Sequence, residues 1–178
     1  MKKYESHNDK ISMSYKFLYG LHKLLIKDNT KEWVFDSIRN NEIHSVVDVG
    51  CGHELWKQLI EDDFIKVNYF GYDPFIKKNK LPSKHFDCAL LIFVLEHLDY
   101  GEIAEYFNWF KKQKVKRIII ITENPFNPLI WLWFWNNPSH KRPYPKISIQ
   151  KIARDFGYSV DVHKFWGLAC FQYVELVL

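Results

Sequence analysis

Apolar residues follow two patterns along the chain: short continuous blocks, and stripes spaced three or four apart. The blocks read as strands buried on both faces. They are Val46-Val47 with Val49, residues 66 to 72, residues 86 to 95, and residues 117 to 122, whose sequence is RIIIIT. The stripes read as helices with one inner face. Phe17, Leu18, Leu21, Leu24 and Leu25 predict a helix within residues 11 to 27, and Trp33, Phe35 and Ile38 a second one. Leu55, Leu59 and Ile60 form the inner face of a helix beginning near Glu54, and Ile103, Phe107 and Phe110 that of another. Pro145 suits a first helical turn and Gly157 a helix stop. Between them Ile149, Ile152, Ala153 and Phe156 make the stripe. Residues 159 to 165 and 170 to 178 read as two further strands.

The order of these elements is an alternation of strand and helix, which predicts an α/β domain with a mostly parallel sheet. A strand ending in Asp48-Val49-Gly50-Cys51-Gly52 and running into a helix is the local architecture of a nucleotide-binding crevice. Asp73 follows the next strand, about 20 residues beyond the glycine turn. A carboxylate there can accept hydrogen bonds from both ribose hydroxyls. The alternative for Asp73 is a strand-end turn residue before Pro74. From Pro74 to His85 there is room for little more than a loop, so a third strand is predicted to be missing or very short.

Composition narrows the class. At 178 residues, with 47% hydrophobic and 17% aromatic content, the chain suits one packed domain and not disorder. Residues 1–43 are expected to form a helical cover and residues 44–178 the core. The net charge of +4 permits an anionic partner without requiring one. Three cysteines (Cys51, Cys88, Cys170) share no metal-ligand spacing, which suits a reduced, cytoplasmic setting. No metal is expected. The run Leu129 to Trp135 is expected to pack an extra helix into the core. The sharper alternative is a lid or peripheral membrane contact through Trp131, Trp133 and Trp135.

Three separated segments resemble the class I methyltransferases that use S-adenosylmethionine, in particular those acting on small molecules. The first is Asp48, Gly50 and Gly52, an acid two residues before a Gly-x-Gly-x-Gly turn whose third glycine is here Glu54. The second is Leu95-Glu96-His97-Leu98 at the end of an apolar strand. The third is His140-Lys141-Arg142-Pro143-Tyr144. The resemblance implies a Rossmann-like fold with one antiparallel strand and N-terminal helices. It also implies S-adenosylmethionine held by Asp48, Gly50, Cys51, Gly52, Asp73, Pro74, Phe75 and Phe93, with Phe75 a surface for stacking.

For a methyl transfer the chain needs to align the reacting atoms and, for an oxygen or nitrogen acceptor, to receive a proton. His97 and His140 are the expected bases, Glu96 the residue that orients them or the acceptor, and Arg142, Tyr144 and Asn124 the expected contacts to a small-molecule acceptor. Two other readings stand beside this one. Glu54 and the short third-strand region favour a methyltransferase-like binding module without catalysis. The basic balance and many aromatics favour a nucleic-acid methyltransferase, although no concentrated basic stripe is present, so a nucleic-acid partner is not expected.

Overall fold

The computed structural model describes residues 29–52, 54–64, 66–166 and 170–178. The helix expected within residues 11 to 27 lies outside them. The chain runs α1 (Asn29–Asn40), β1 (Ser45–Val49), α2 (Leu55–Asp63), β2 (Asn68–Tyr72) and β3 (Cys88–Ile92). A 3-10 turn (Leu95–His97) leads to α3 (Tyr100–Lys112), β4 (Arg117–Glu123), α4 (Pro128–Asn136), α5 (Lys146–Asp155), β5 (Ser159–Trp166) and β6 (Phe171–Val177).

The six strands form one sheet in the order β2-β1-β3-β4-β6-β5. The first four pair in parallel, and β6 runs antiparallel to both of its neighbours. This is the mostly parallel sheet with one antiparallel strand that the resemblance implies. Among the described residues no strand lies between β2 and β3, so β2 is an edge, as the short passage after Asp73 implies.

Because side chains alternate along a strand, the apolar blocks feed two cores, one on each face. Val47, Ala89, Leu91, Ile118, Ile120 and Val174 meet α3 and α5 through Ile103, Phe107, Phe110, Ile149 and Ile152. Val46, Cys88, Leu90, Ile119, Ile121 and Tyr173 meet α1, α2 and α4 through Phe35, Ile38, Ile60 and Ile130. The result is a three-layer sandwich, α/β/α. The helix α1 therefore lies on a face of the sheet, with Val34 and Phe35 fully buried, and does not cap its edge. Its Ser37 hydroxyl donates to Glu175 on β6 at 2.8 Å, and Arg117 pairs with that same carboxylate. No helix among the described residues is long and apolar enough to cross a membrane.

The aromatic run departs from its expected role. Asn127 caps α4, its side-chain oxygen accepting from Leu129 N at 3.0 Å, and Pro128 starts the helix. Among its described side chains, the turn-spaced pair Ile130 and Phe134 goes into the protein. Trp131, Leu132 and Trp135 are about half exposed or more. The helix is apolar all round, and its neighbours among the described residues lie on one side, so packing among those residues does not account for the run.

Candidate functional site

The glycine turn is held from below. Gly50 N and Cys51 N both donate to the Tyr72 carbonyl, at 2.8 and 3.2 Å, which ties the end of β1 to the end of β2. Gly50 has φ +74, and a Cβ built on it would stand 2.5 Å from Val94 Cγ2. Here the backbone conformation and the close approach of Val94 both require glycine. The contact also fixes the turn against the segment that leads into Glu96 and His97.

Asp48 is buried beneath this turn and accepts from the Tyr69 hydroxyl at 2.5 Å. Burial pushes its carboxyl up to about 7, opposed by the Tyr69 hydrogen bond and reinforced by the charges of Glu54 and Asp73. Asp73 ends β2 with both oxygens in use. Oδ2 accepts from Gly52 N at 3.1 Å, and Oδ1 from Phe75 N and Ile76 N at 2.9 and 2.8 Å. The turn role is thus present, and it knits the glycine loop to the β2 end. A carboxylate has about four lone-pair directions, so acceptor capacity remains for a hydroxyl.

Glu54, at the third-glycine position, takes the left-handed conformation (φ 57) that a glycine would take easily. Its carboxylate pairs with Lys77, in the loop after Asp73. A Cβ added to Gly71 would lie 2.6 Å from this carboxylate, which shows the side chain folded over β2. A Cβ added to Gly52, by contrast, would point into space with no heavy atom within 4 Å. The turn therefore leaves room in front of its backbone for a ligand, and Glu54 is directed away and neutralised. Lys77 was not legible as a partner. Its signal, a lysine in the loop directly after the acid, is weak because lysines are common there.

Beside the turn, three predicted residues converge. Glu96, 2% exposed, accepts from Thr122 Oγ1 at 2.9 Å, and burial pushes its carboxyl up to about 7. The rings of His97 and His140 stand edge to face with centroids 4.8 Å apart. One ligand-type atom from each of Glu96, His97 and His140 lies within 4.8 Å of the others. The segment carrying His140 is docked by the Glu96 carbonyl, which accepts from Lys141 N at 2.8 Å.

Hydrogen bonds define the ring orientations. His97 Nδ1 donates to the Ser139 carbonyl at 3.2 Å, which leaves Nε2 as the basic atom. Asn137 Oδ1 accepts from Ser139 N and Oγ, so its amide nitrogen faces His140 Nε2 at 2.8 Å. In the neutral ring the proton is then on His140 Nδ1, 3.5 Å from Glu123 Oε2, with the two side chains 4% and 6% exposed. Burial lowers both histidines, and the neighbouring His97 reinforces the shift of His140, to about 4. Thr122, Glu123 and Asn137 complete the cluster. Their signal is positional, since Thr122 and Glu123 end a central strand where open sheets bind ligands.

The remaining predicted residues are dispersed. Tyr144 lies in the core with its hydroxyl on the Leu98 carbonyl at 2.9 Å, so it ties elements together and does not reach the cluster. Asn124 is buried as a turn residue, accepting from Phe126 N at 3.2 Å, and Arg142 is exposed. Phe75 is 85% exposed and Pro74 also faces solvent. Phe93, at φ 55, turns its ring onto Phe171 at 5.7 Å. Positive φ is uncommon for so bulky a residue and marks strain at the β3 end. Cys51 is half-buried, its thiol pushed up to about 11 by burial and the Asp48 charge.

Comparison with known proteins gives the family of this arrangement. The family described as a methyltransferase domain matches residues 13–163. No curated protein sequence matches the chain. Among solved structures, a SAM-dependent methyltransferase from Archaeoglobus fulgidus is similar at TM-score 0.57 and 18% identity, over 92% of this chain and 100% of that one. Magnesium protoporphyrin IX methyltransferase from Synechocystis, with bound SAH, is similar at TM-score 0.57 and 15% identity, over 94% and 88%. The small RNA methyltransferase HEN1 reaches TM-score 0.66 at 18% identity, over 85% of this chain and 25% of that one. At these identities the structures establish a shared fold.

Proposed function

Since the chain belongs to the class I methyltransferases that use S-adenosylmethionine, we propose that it methylates an oxygen or nitrogen of a small-molecule acceptor. The observation that carries this reading is the packing of Val94 on Gly50. It sets the Glu96–His97–His140 cluster directly beside a glycine turn that has free space in front of it. Gly52 and Cys51 would line the cofactor, with Asp73 accepting from its ribose and the exposed Phe75 ring able to close on its adenine. When bound, S-adenosylmethionine supplies a methyl group on a sulfonium, open to in-line displacement.

The chain's own part is alignment and charge. His97 Nε2, the basic atom of a ring fixed by Ser139, accepts the hydrogen of the acceptor's hydroxyl or amine. Glu96 holds the acceptor's polar end.

Calorimetric titration with S-adenosylmethionine and S-adenosylhomocysteine tests the reading. Micromolar binding is expected, weakened at least tenfold in Asp73→Ala and less in Asp73→Asn, which keeps the turn acceptor. A folded protein that binds neither ligand would remove the catalytic reading and leave the binding module.

A further inference from the structure

We propose that Glu96, His97 and His140 bind a divalent first-row transition-metal ion. The inference rests on the methyltransferase reading but replaces the proton-accepting role given to His97 Nε2 there, because the ion would take that atom as a ligand and occupy the place where the acceptor's polar end is received. Its grounds are separate from the glycine turn. Three ligand-type atoms from two distant stretches of chain lie within 4.8 Å of one another. Tetrahedral ligands about 2.1 Å from an ion stand roughly 3.4 Å apart, so closure asks for side-chain movements of about 1 Å.

A second observation points to a ligand. His140 has a side chain only 4% exposed, and its buried Nδ1 makes no hydrogen bond, with Glu123 Oε2 standing off at 3.5 Å. A buried polar atom left this way costs about 1–3 kcal/mol, which coordination would recover. The surroundings already have the form of an outer shell. Thr122 Oγ1 holds the Glu96 carboxylate, and the Ser139 carbonyl receives His97 Nδ1–H, which presents Nε2 as the ligand atom. Coordination through His140 Nδ1 moves that ring's proton to Nε2, and the Asn137 amide then turns over so that its oxygen accepts it.

One carboxylate and two imidazoles suit Mn²⁺, Co²⁺ or Zn²⁺. They suit neither Ca²⁺ and Mg²⁺, which prefer oxygen alone, nor Cu⁺, which prefers sulfur. Three protein ligands leave at least one position for an acceptor oxygen. Binding there would lower that oxygen's pKa, and its proton would leave to water before the oxygen attacks.

The experiment is titration of chelator-treated full-length protein with Co²⁺, Zn²⁺, Mn²⁺ and Mg²⁺, followed by calorimetry and by the visible absorption of Co²⁺. The expected result is one tight ion per chain, with Mg²⁺ at least 100-fold weaker. Glu96→Gln and His140→Ala should each weaken Co²⁺ at least 100-fold, and Thr122→Val about tenfold. Circular dichroism confirms that each variant is folded, with Trp131→Ser as the mutated control that keeps the ion. No tight binding by the wild type overturns the site. So does binding that survives within twofold in Glu96→Gln and His140→Ala, which would place the ion elsewhere, on Cys51 or the exposed His85. Titration with S-adenosylhomocysteine, with and without Co²⁺, separates the two proposals: loss of nucleoside binding alone sinks the methyltransferase reading, loss of ion binding alone sinks this one.

Discussion

At the scale of single residues, the glycine turn shows how little tolerance a ligand-binding backbone has. Gly50→Ala drives a methyl into Val94 and forces a left-handed conformation, and the two effects together should destabilise the fold by about 2–4 kcal/mol. Val94→Ala in the same chain removes the collision and leaves the backbone strain. A double-mutant cycle in urea should therefore show a favourable coupling of about 1 kcal/mol or more. Additive costs would mean that Val94 moves aside freely.

Asp48 makes a different prediction. Its carboxyl is raised to about 7, so between about pH 4 and 7 the folded state binds a proton that the unfolded chain has released. Stability then falls as pH rises through that window, by an amount on the order of a few kcal/mol. Asp48→Asn keeps an acceptor for Tyr69 and abolishes the titration. The variant should match the wild type near pH 4 and exceed it at pH 8, measured by urea unfolding at each pH. A difference between Asp48→Asn and the wild type that stays flat over this range would contradict the burial argument.

At the scale of elements, α4 shows where sequence pattern loses its power. Seven apolar residues in a row carry no period, so the sequence cannot say which face is inward. The structure gives the inward face to Ile130 and Phe134, with the Phe134 ring 4.7 Å from that of His140. Phe134→Ala should cost about 3–5 kcal/mol. Trp131→Ser should cost less than 1, because much of its ring is already wet. Chemical denaturation of both variants checks this. If Trp131→Ser proved as costly, the helix would have a partner on its outer side. Two periodic helices behaved otherwise: in α3 and α5 the predicted stripe residues Ile103, Phe107, Phe110, Ile149 and Ile152 are buried, whereas in α2 Ile60 is buried but Leu55, expected on the inner face, is exposed because it stands at the helix start.

At the scale of the whole molecule, the alternation of strand and helix made the layered α/β architecture legible, and the short passage after Asp73 made the absence of a strand beside β2 legible too. The cluster was half legible. Glu96, His97 and His140 were visible as residue types, but nothing local in the sequence says that residues 43 apart share one cluster. That meeting depends on Glu96 lending its carbonyl to the following segment. Lys77 and Thr122 went unread for the same reason. Each matters through a partner more than 20 residues away, Glu54 and Glu96, and a single sequence carries no record of such pairs. Tyr144 shows the opposite case: a polar tip near a motif looks available in the sequence, whereas its hydroxyl donates to the Leu98 carbonyl.

The reversed strand has a consequence for how the protein comes into being. β6 sits between β4 and β5 and is the only described partner of β5, yet it is formed by residues 171–177. Until those residues have emerged during synthesis, β4 presents a long isoleucine-rich edge to the cell and β5 has nothing to pair with. An open, apolar strand edge is a template for association between chains. Emergence of β6 is therefore the step that protects the nascent sheet, and a product stopped before Phe171 should be recovered as aggregate rather than as a smaller sheet.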